Sequence, residues 1–566
     1  MIGSDMRWQA MKQTEKIVTT KRMWAAAAAV LACSTLSGGH ALGQAAQVFF
    51  QAVDDGDIRP LTPEEKQGLQ DPFFQLVLKN NPGAVKLSDI EGLLQPDATQ
   101  RRTFVLDEEI RDPALGQSRR MVLAFDGTNG GIKLDNNVMV SVFFDSDAIP
   151  EISRLEAWGW DEANAVFHYY LLDRSGTPSP SWKFRATSAD ADRFTVAQRQ
   201  GTCLRCHTSG MPNMKELLFP WNNWQSIASV NNYLTPDLGP DSERWPVTKN
   251  AHFSAGRFLG AEILEKKIEA AIQNAAKRKL TRLVTPGAGG AQAVQNAPTV
   301  LKPLFATTEI NLRSARQQSG LHPLPQVNNT GPAQPVAIPA TFFLDSITLT
   351  RTDVGINEAK FTDVPTIAPA EYKSLVQGAG LQITSSRDDI GTRPGDTNFA
   401  WFMPEPGFAQ VNWIGTLLDQ KVVLPAFAAA VLGVDVETPI FSSARAGLLQ
   451  FVPDSYTATP GEAHPDALTK AVIAKLTAAN PAPGSPEADF LAILQTPNPI
   501  DTVRARVAAY HDRVVKALDP ANPATRQAEL QRLFNLLLVR RRAFLNHELF
   551  GNLAEFPALL PHPQGR

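Results

Sequence analysis

Two cysteines and one histidine are the residues of this chain whose types and spacing most clearly suit chemistry. Residues 201–210 read Gly-Thr-Cys-Leu-Arg-Cys-His-Thr-Ser-Gly, so Cys203, Cys206 and His207 form one C-x-x-C-H motif. Two thiols at this spacing can each add to one vinyl group of the same porphyrin, and the adjacent imidazole can bind its iron. The motif predicts one covalently attached haem c, with His207 as the proximal ligand of the haem iron.

The C-x-x-C part of the motif also occurs in zinc sites and in thioredoxin-like dithiols. A structural zinc ion takes four N or S ligands, typically from two such pairs, whereas this chain has only three cysteines. A thioredoxin-type pair lies where a strand enters a helix of a βαβ unit, and the residues before Cys203 do not predict such a unit. The pattern therefore favours haem c over a redox dithiol.

The N-terminal residues predict export. Residues 24–32 read Trp-Ala-Ala-Ala-Ala-Ala-Val-Leu-Ala and follow several basic residues, as in a secretory signal peptide. This apolar segment is shorter than the roughly 20 residues that a membrane-spanning helix needs. Cleavage after residues 41–43, Ala-Leu-Gly, gives a mature chain that begins near Gln44. The alternative is a lipoprotein, because Val-Leu-Ala-Cys at 30–33 resembles a lipidation box ending at Cys33. Either route predicts a periplasmic or secreted protein.

Charge and length limit the functions that are compatible with the sequence. The net charge is −3, and it becomes about −6 without residues 1–43, so no electrostatic footprint for nucleic acid is present. A haem-carrying domain needs only about 100 residues, and this chain has 566. The expected partner is a redox protein or a small-molecule substrate. We expect a haem domain over 44–230, a helix and irregular linker over 231–340 and a C-terminal domain over 341–566.

The residues before the motif predict β-strands. Residues 138–144 form a β-branched and aromatic run. Residues 154–160 and 165–172 are two further runs, joined by a segment that predicts a hairpin loop, and 182–186 alternates apolar and polar positions. The fold class predicted is α+β, with an antiparallel β-sheet haem domain followed by a mostly α-helical C-terminal region.

Several segments after the motif carry predictions of their own. We expect a flexible linker or long loop over 285–300 and a strand over 341–352. Helices are predicted near 413–418 and 425–432 and over 501–518 and 524–547.

The layout of residues 120–210 resembles the sheet-based c-type cytochromes. A β-meander, a Trp- and Tyr-rich hairpin and then Gly-Thr-Cys-Leu-Arg-Cys-His are similar to the hydroxylamine-oxidising kind and to the β-sheet relatives of cytochrome c prime. The hydroxylamine-oxidising kind carries a haem that is also cross-linked to a lysine, and Lys183 is the residue that the resemblance suggests for that role. Residues 214–221, Met-Lys-Glu-Leu-Leu-Phe-Pro-Trp, resemble the segment that follows the motif in large exported bacterial cytochromes.

The sequence leaves the distal iron ligand open. Met211 and Met214 follow His207 so closely that they tend to stay on its own side of the ring, although Met214 is kept as a candidate. Remote candidates are His168, His252 and Met403. A methionine ligand raises the reduction potential and suits electron transfer, whereas an empty position suits ligand binding or oxidation chemistry.

Two functions are therefore compatible with the sequence. The first is a periplasmic cytochrome that transfers electrons through one haem. The alternative is a haem-dependent oxidoreductase with an open distal iron site and a substrate pocket formed by the C-terminal region. The single C-x-x-C-H motif argues against enzymes that use two haems.

Overall fold

A computed structural model describes most of the chain after residue 46. The described residues are 47–51, 58–112, 116–144, 154–174, 180–200, 202–212, 224, 227, 256–286, 291–313, 335–338, 340–355, 365–378 and 403–546. The predicted signal peptide, Cys33, Met214 and His252 lie outside the described residues, as does part of the helix and irregular linker predicted over 231–340.

The N-terminal half is built on an eight-stranded sheet. Its strands are β1 (Phe49–Phe50), β2 (Arg59–Pro60), β3 (Arg101–Asp112), β4 (Gly116–Phe125), β7 (Val138–Phe144), β8 (Arg154–Asp161), β9 (Val166–Asp173) and β10 (Ser181–Thr187), and a small hairpin of β5 (Thr128–Asn129) and β6 (Ile132–Lys133) joins β4 to β7. The strand order is β2-β1-β10-β9-β8-β7-β4-β3, and every pairing is antiparallel except that of β1 with β10. The predicted antiparallel sheet before the motif is confirmed.

Both faces of this sheet are apolar. Successive side chains of a strand point to opposite faces, and here both sets contribute to buried apolar clusters. On β9, Tyr170 contributes to one buried cluster and Tyr169 to the other. The first face packs against the π-helix Phe74–Leu78 and the α-helix Leu87–Leu94. The Trp182 indole on this face donates a hydrogen bond of 2.7 Å to the carbonyl of Ala84.

The second face is covered by residues that follow the sheet in the chain. The 23-residue helix Ala261–Leu283 buries side chains at helical spacing against it, and the C-x-x-C-H segment and the helix Phe408–Asp419 add to the same cluster. The buried residues of the long helix are Ala261, Leu264, Ile268, Ala271, Ile272, Ala275, Ala276 and Leu280. An amphipathic helix of this kind is stabilised mainly by burying its apolar stripe.

The C-terminal region is mostly α-helical, as predicted. Its helices are Ala297–Phe305, Ala340–Phe343, Ser346–Thr350, Pro369–Gly378, Phe408–Asp419, Pro425–Gly433, Ser443–Gly447, His464–Ala479, Pro486–Leu494, Pro499–Ala517 and Pro523–Asn546. They enclose a separate apolar cluster, into which Phe305, Phe427 and Phe490 pack with edge-to-face rings. The helices predicted at 413–418, 425–432, 501–518 and 524–547 are confirmed.

Two predictions for this region are wrong. Residues 341–352 do not form a strand: they form two short helices, and Asp345 caps the second by accepting a hydrogen bond of 3.0 Å from the Thr348 amide. The described residues of the segment 285–300, which are 285–286 and 291–300, do not form a linker. They supply most of β11 (Val284–Pro286), all of β12 (Gln292–Gln295) and the start of a helix, and β12 pairs with β15 (Ser455–Ala458). A second small sheet pairs β13 (Ile310–Arg313) with β14 (Met403–Pro406).

The hairpin between β8 and β9 is held by a buried carboxylate. Asp161 accepts hydrogen bonds from the backbone amides of Gln70 and Asn164, at 3.0 and 2.8 Å, and lies 3.2 Å from Nε2 of His168. Burial opposes ionisation of Asp161, but the hydrogen bonds from His168, Asn164 and Gln70 outweigh it and lower the pKa of the carboxyl to about 2.

We expect Asp161→Asn to lower the free energy of unfolding at neutral pH by about 1.5–3 kcal/mol, because charge-assisted hydrogen bonds are lost. A depressed pKa contributes stability above the ordinary pKa of 3.8, and this contribution is lost as the pH falls towards about 2. Urea unfolding at several pH values should therefore show a steeper acid loss in the unsubstituted protein than in the variant. Glu64→Gln, on an exposed helical surface, serves as the control, and an equal acid loss in all three proteins would contradict the role of Asp161.

Candidate haem attachment site

The three residues of the motif lie on one tight turn. Thr202 caps the 3-10 helix Cys203–Arg205 by accepting a hydrogen bond of 3.1 Å from the Leu204 amide. The backbone amides of Cys206 and His207 then donate to the carbonyl of Cys203, at 3.2 and 3.0 Å. These bonds fix the two thiols and the imidazole in one short, locally ordered segment, which we call the attachment turn (residues 202–212).

The orientation of His207 follows from a hydrogen bond to the backbone. Its Nδ1 lies 3.0 Å from the carbonyl oxygen of Met211. Because a carbonyl only accepts, Nδ1 carries the hydrogen, and the neutral ring then has its lone pair on Nε2. Metal-binding histidines in proteins characteristically donate their other ring nitrogen to a carbonyl or carboxylate in this manner. The imidazole is thus in the tautomer that an iron ligand needs.

Tyr169 connects the attachment turn to the sheet. Its ring stacks on that of His207, with centroids 5.1 Å apart and an interplanar angle of 24°, and its hydroxyl donates a hydrogen bond of 2.8 Å to the carbonyl of Gly210. Burial, with smaller contributions from Cys203 and Glu309, raises the pKa of Tyr169 well above its ordinary value. The tyrosine therefore stays protonated and keeps its role as a donor.

The two thiols lie in apolar surroundings. Cys203 and Cys206 are half-buried against the cluster on the second face of the sheet, which includes Leu204 and Trp224. Burial, reinforced by the Glu156 carboxylate, raises the pKa of the Cys203 thiol to about 12. Redox dithiols and catalytic cysteines instead have a lowered pKa, because the thiolate is the reactive form. The environment of Cys203 suits an apolar attachment and not a thiolate nucleophile.

The C-terminal half contributes one residue to the attachment turn that the sequence did not indicate. Glu309 is fully buried, and its Oε2 accepts a hydrogen bond of 3.1 Å from Oγ1 of Thr208, the residue after His207. The backbone amide of Glu309 donates to the side-chain oxygen of Gln410 at 3.2 Å. A side chain on Gly407 would meet Glu309, so glycine at 407 permits the close approach.

The remaining candidate residues lie in different places. His168 is on β9 but on the face opposite to Tyr169, where its ring contacts Phe184, so the sheet separates it from His207. Met403 begins β14, and Met211 is buried in the apolar cluster beside the attachment turn. Lys183 is buried on β10, opposite Leu171 of β9 and therefore on the same face as Tyr169, and its ammonium group forms an ion pair with Asp173.

Comparisons with known proteins give no relative. No protein-family model, no curated protein and no solved structure matches this chain.

Within the described ranges, no group of three or more His, Cys, Asp or Glu side chains is arranged to hold a metal ion by itself. In the same part of the chain, no helix is both long enough and apolar enough to cross a membrane.

The high pKa of Cys203 predicts a slow thiol. In haem-free protein that carries Cys206→Ser, iodoacetamide at pH 8 should alkylate Cys203 more than about tenfold more slowly than in the same chain in urea, because little thiolate is present. Mass spectrometry of the labelled peptide measures the rates. Faster labelling of the folded chain would support the redox dithiol instead.

Gly210, within the attachment turn, is at a position where neither the backbone conformation nor the space allows a side chain. Gly210 has a φ of +74°, and a Cβ at this position would lie 2.5 Å from the carbonyl oxygen of Ser188. We expect Gly210→Ala to destabilise the protein by about 2–3 kcal/mol through backbone strain and overpacking. Gly92→Ala, in the helix Leu87–Leu94 with no atom near the added methyl group, should be neutral or stabilising. Equal unfolding midpoints for the two variants would contradict this account.

Proposed function

We propose that the protein is an exported c-type cytochrome that transfers electrons through one covalently bound haem. The observation that carries this proposal is the hydrogen bond from Nδ1 of His207 to the Met211 carbonyl, because it prepares Nε2 of a C-x-x-C-H histidine for iron. The signal-like segment over residues 1–43 supports export, since covalent haem is attached outside the cytoplasmic membrane in bacteria.

The attachment turn has the donor set that a haem c requires. Cys203 and Cys206 would hold the porphyrin through thioether bonds, and His207 would bind its iron on the proximal side. The bound haem supplies reversible one-electron chemistry at its iron. Both cysteines are half-buried against an apolar cluster, which suits a large apolar ring. The residues present therefore fit the group.

The protein itself would tune the iron through the surroundings of His207. The Met211 carbonyl raises the basicity of the imidazole, and stacking on Tyr169 limits rotation of its ring. The buried Glu309, one hydrogen bond away from the neighbouring Thr208, places a carboxyl group close to the proximal side. A more basic axial ligand favours the ferric state, so the hydrogen bond to the Met211 carbonyl would lower the reduction potential.

Covalent attachment is the first consequence to test. Protein made in a host with c-type maturation should keep its haem through denaturing electrophoresis, as seen by haem-linked peroxidase staining. Cys203→Ala/Cys206→Ala should abolish the stain while the chain is still exported, because no thioether can form. An unstained band from the unsubstituted protein would refute the proposal.

Iron coordination separates electron transfer from the alternative, a haem-dependent oxidoreductase. Absorption spectra of the ferric and ferrous protein should show a low-spin iron that does not bind carbon monoxide, as expected for two strong axial ligands. His207→Ala should shift this spectrum even if the haem stays attached, because the proximal ligand is lost. A high-spin ferrous protein that binds carbon monoxide readily would instead favour the oxidoreductase with an open distal site.

A further inference from the structure

A cavity of about 560 Å³ lies behind the attachment turn, at the junction of the sheet with the C-terminal helices. Thr208, Ser209 and Met211 form one of its walls. The other walls come from the hairpin loop at 164–166, the end of the helix Ala261–Leu283 and the helices Ala297–Phe305 and Phe408–Asp419. This volume is within the range of pockets that bind small organic molecules.

The cavity wall is strongly basic, in contrast with the rest of the chain. Among the residues that the structure describes, five cationic side chains and one acidic side chain, Asp192, line it, whereas the whole protein has a net charge of −3. The cationic residues are Arg193, Arg199, Lys279, Arg282 and Lys302. A concave site with one sign of charge concentrates ligands of the opposite sign.

Two of these cations are held in place by the protein. Arg199 is half-buried and donates hydrogen bonds to the carbonyls of Phe194 and Thr208, at 3.3 and 3.5 Å. Arg282 donates to the carbonyl of Ala163. The exposed Asp192 forms an ion pair of 3.8 Å with Nζ of Lys302 and also acts on Lys279 and Arg199. One carboxylate faces five cations, so the cavity lining keeps an excess of positive charge.

The cavity also has an apolar side. Trp413 lines it, with its indole fixed by a hydrogen bond of 2.9 Å to the carbonyl of Val300, and Nζ of Lys279 lies 5.7 Å from the centre of its ring. Burial lowers the pKa of Lys279, and Asp192 offsets part of that effect. A half-buried ammonium group next to an indole suits a ligand that combines an anionic group with an apolar body.

We propose that this cavity binds a small organic anion, an aromatic or aliphatic carboxylate, with its carboxylate on Lys279 and Arg199 and its apolar body against Trp413. A simple inorganic anion would leave the apolar wall unused. Met211 forms part of the cavity wall, and its position has a consequence for the haem iron that rests on the proposed function. Because Met211, whose carbonyl holds His207, lines the cavity, the bound anion would lie near the proximal side, where the extra positive charge of ferric iron makes it bind more tightly to the ferric than to the ferrous protein.

Isothermal titration with naphthalene-2,6-dicarboxylate tests the site, and naphthalene-2,6-dicarboxamide is the uncharged probe of the same shape. The dicarboxylate should bind and the dicarboxamide should bind at least about tenfold more weakly. Lys279→Met and Arg199→Gln should each weaken the dicarboxylate by about tenfold or more. Lys277→Met, exposed on the same helix and outside the cavity, should not. The proposed anion site would be refuted if the dicarboxylate did not bind, if both probes bound equally, or if all variants bound the dicarboxylate with equal affinity.

The carboxylates of the haem itself could occupy the cavity in place of a separate organic anion. The haem-free Cys203→Ala/Cys206→Ala variant distinguishes these two occupants. Similar affinity in the haem-loaded and haem-free proteins supports a separate ligand site, whereas binding to the haem-free protein only would show that the haem fills the cavity and would overturn it. This titration does not need haem, so it is informative even if attachment fails. In the loaded protein, the affinity should be at least about twofold higher in the ferric state, and equal affinities would refute the coupling to His207.

Discussion

The central constraint on this protein is a sheet that is apolar on both faces. Strand alternation sends Tyr170 and Tyr169 to opposite sides, and each side needs a cover that excludes water. The first cover is local, because the short helices before β3 provide it. The second cover is not local: it combines the attachment turn, the helix Ala261–Leu283 and the helix Phe408–Asp419. Covering the second face therefore joins the two halves of the chain and encloses the candidate site.

The attachment turn consequently depends on residues that are far apart in the sequence. Tyr169 holds its Gly210 carbonyl from the sheet, 41 residues earlier, and Glu309 holds Thr208 from the C-terminal half, 101 residues later. Local bonds within the turn set the positions of the cysteines, and these two distant side chains set the position of the turn. This division of roles explains how a motif of five residues can be embedded in a chain of 566.

Local patterns in the sequence predicted much of the fold. Strand β7 was predicted with its observed bounds, because a β-branched run between turn residues has few alternatives. The error at 341–352 arose where a short apolar run fits either a strand or a buried helix, and the cap at Asp345 decides for helix. Cys203, Cys206 and His207 were identified from spacing. Glu309 and the basic cavity were not, because no local pattern marks side chains that meet only through tertiary packing.

The two anchors of the attachment turn impose an order on the biogenesis of the protein. Contacts between residues this far apart in the chain form late, after the entropy of closing long loops has been overcome. Until Glu309 and the long helix arrive, the two thiols are open to solvent and to any enzyme that handles them. Afterwards they are half-buried in an apolar cluster. Any covalent modification of Cys203 and Cys206 is therefore easiest after synthesis of the chain and before its final folding.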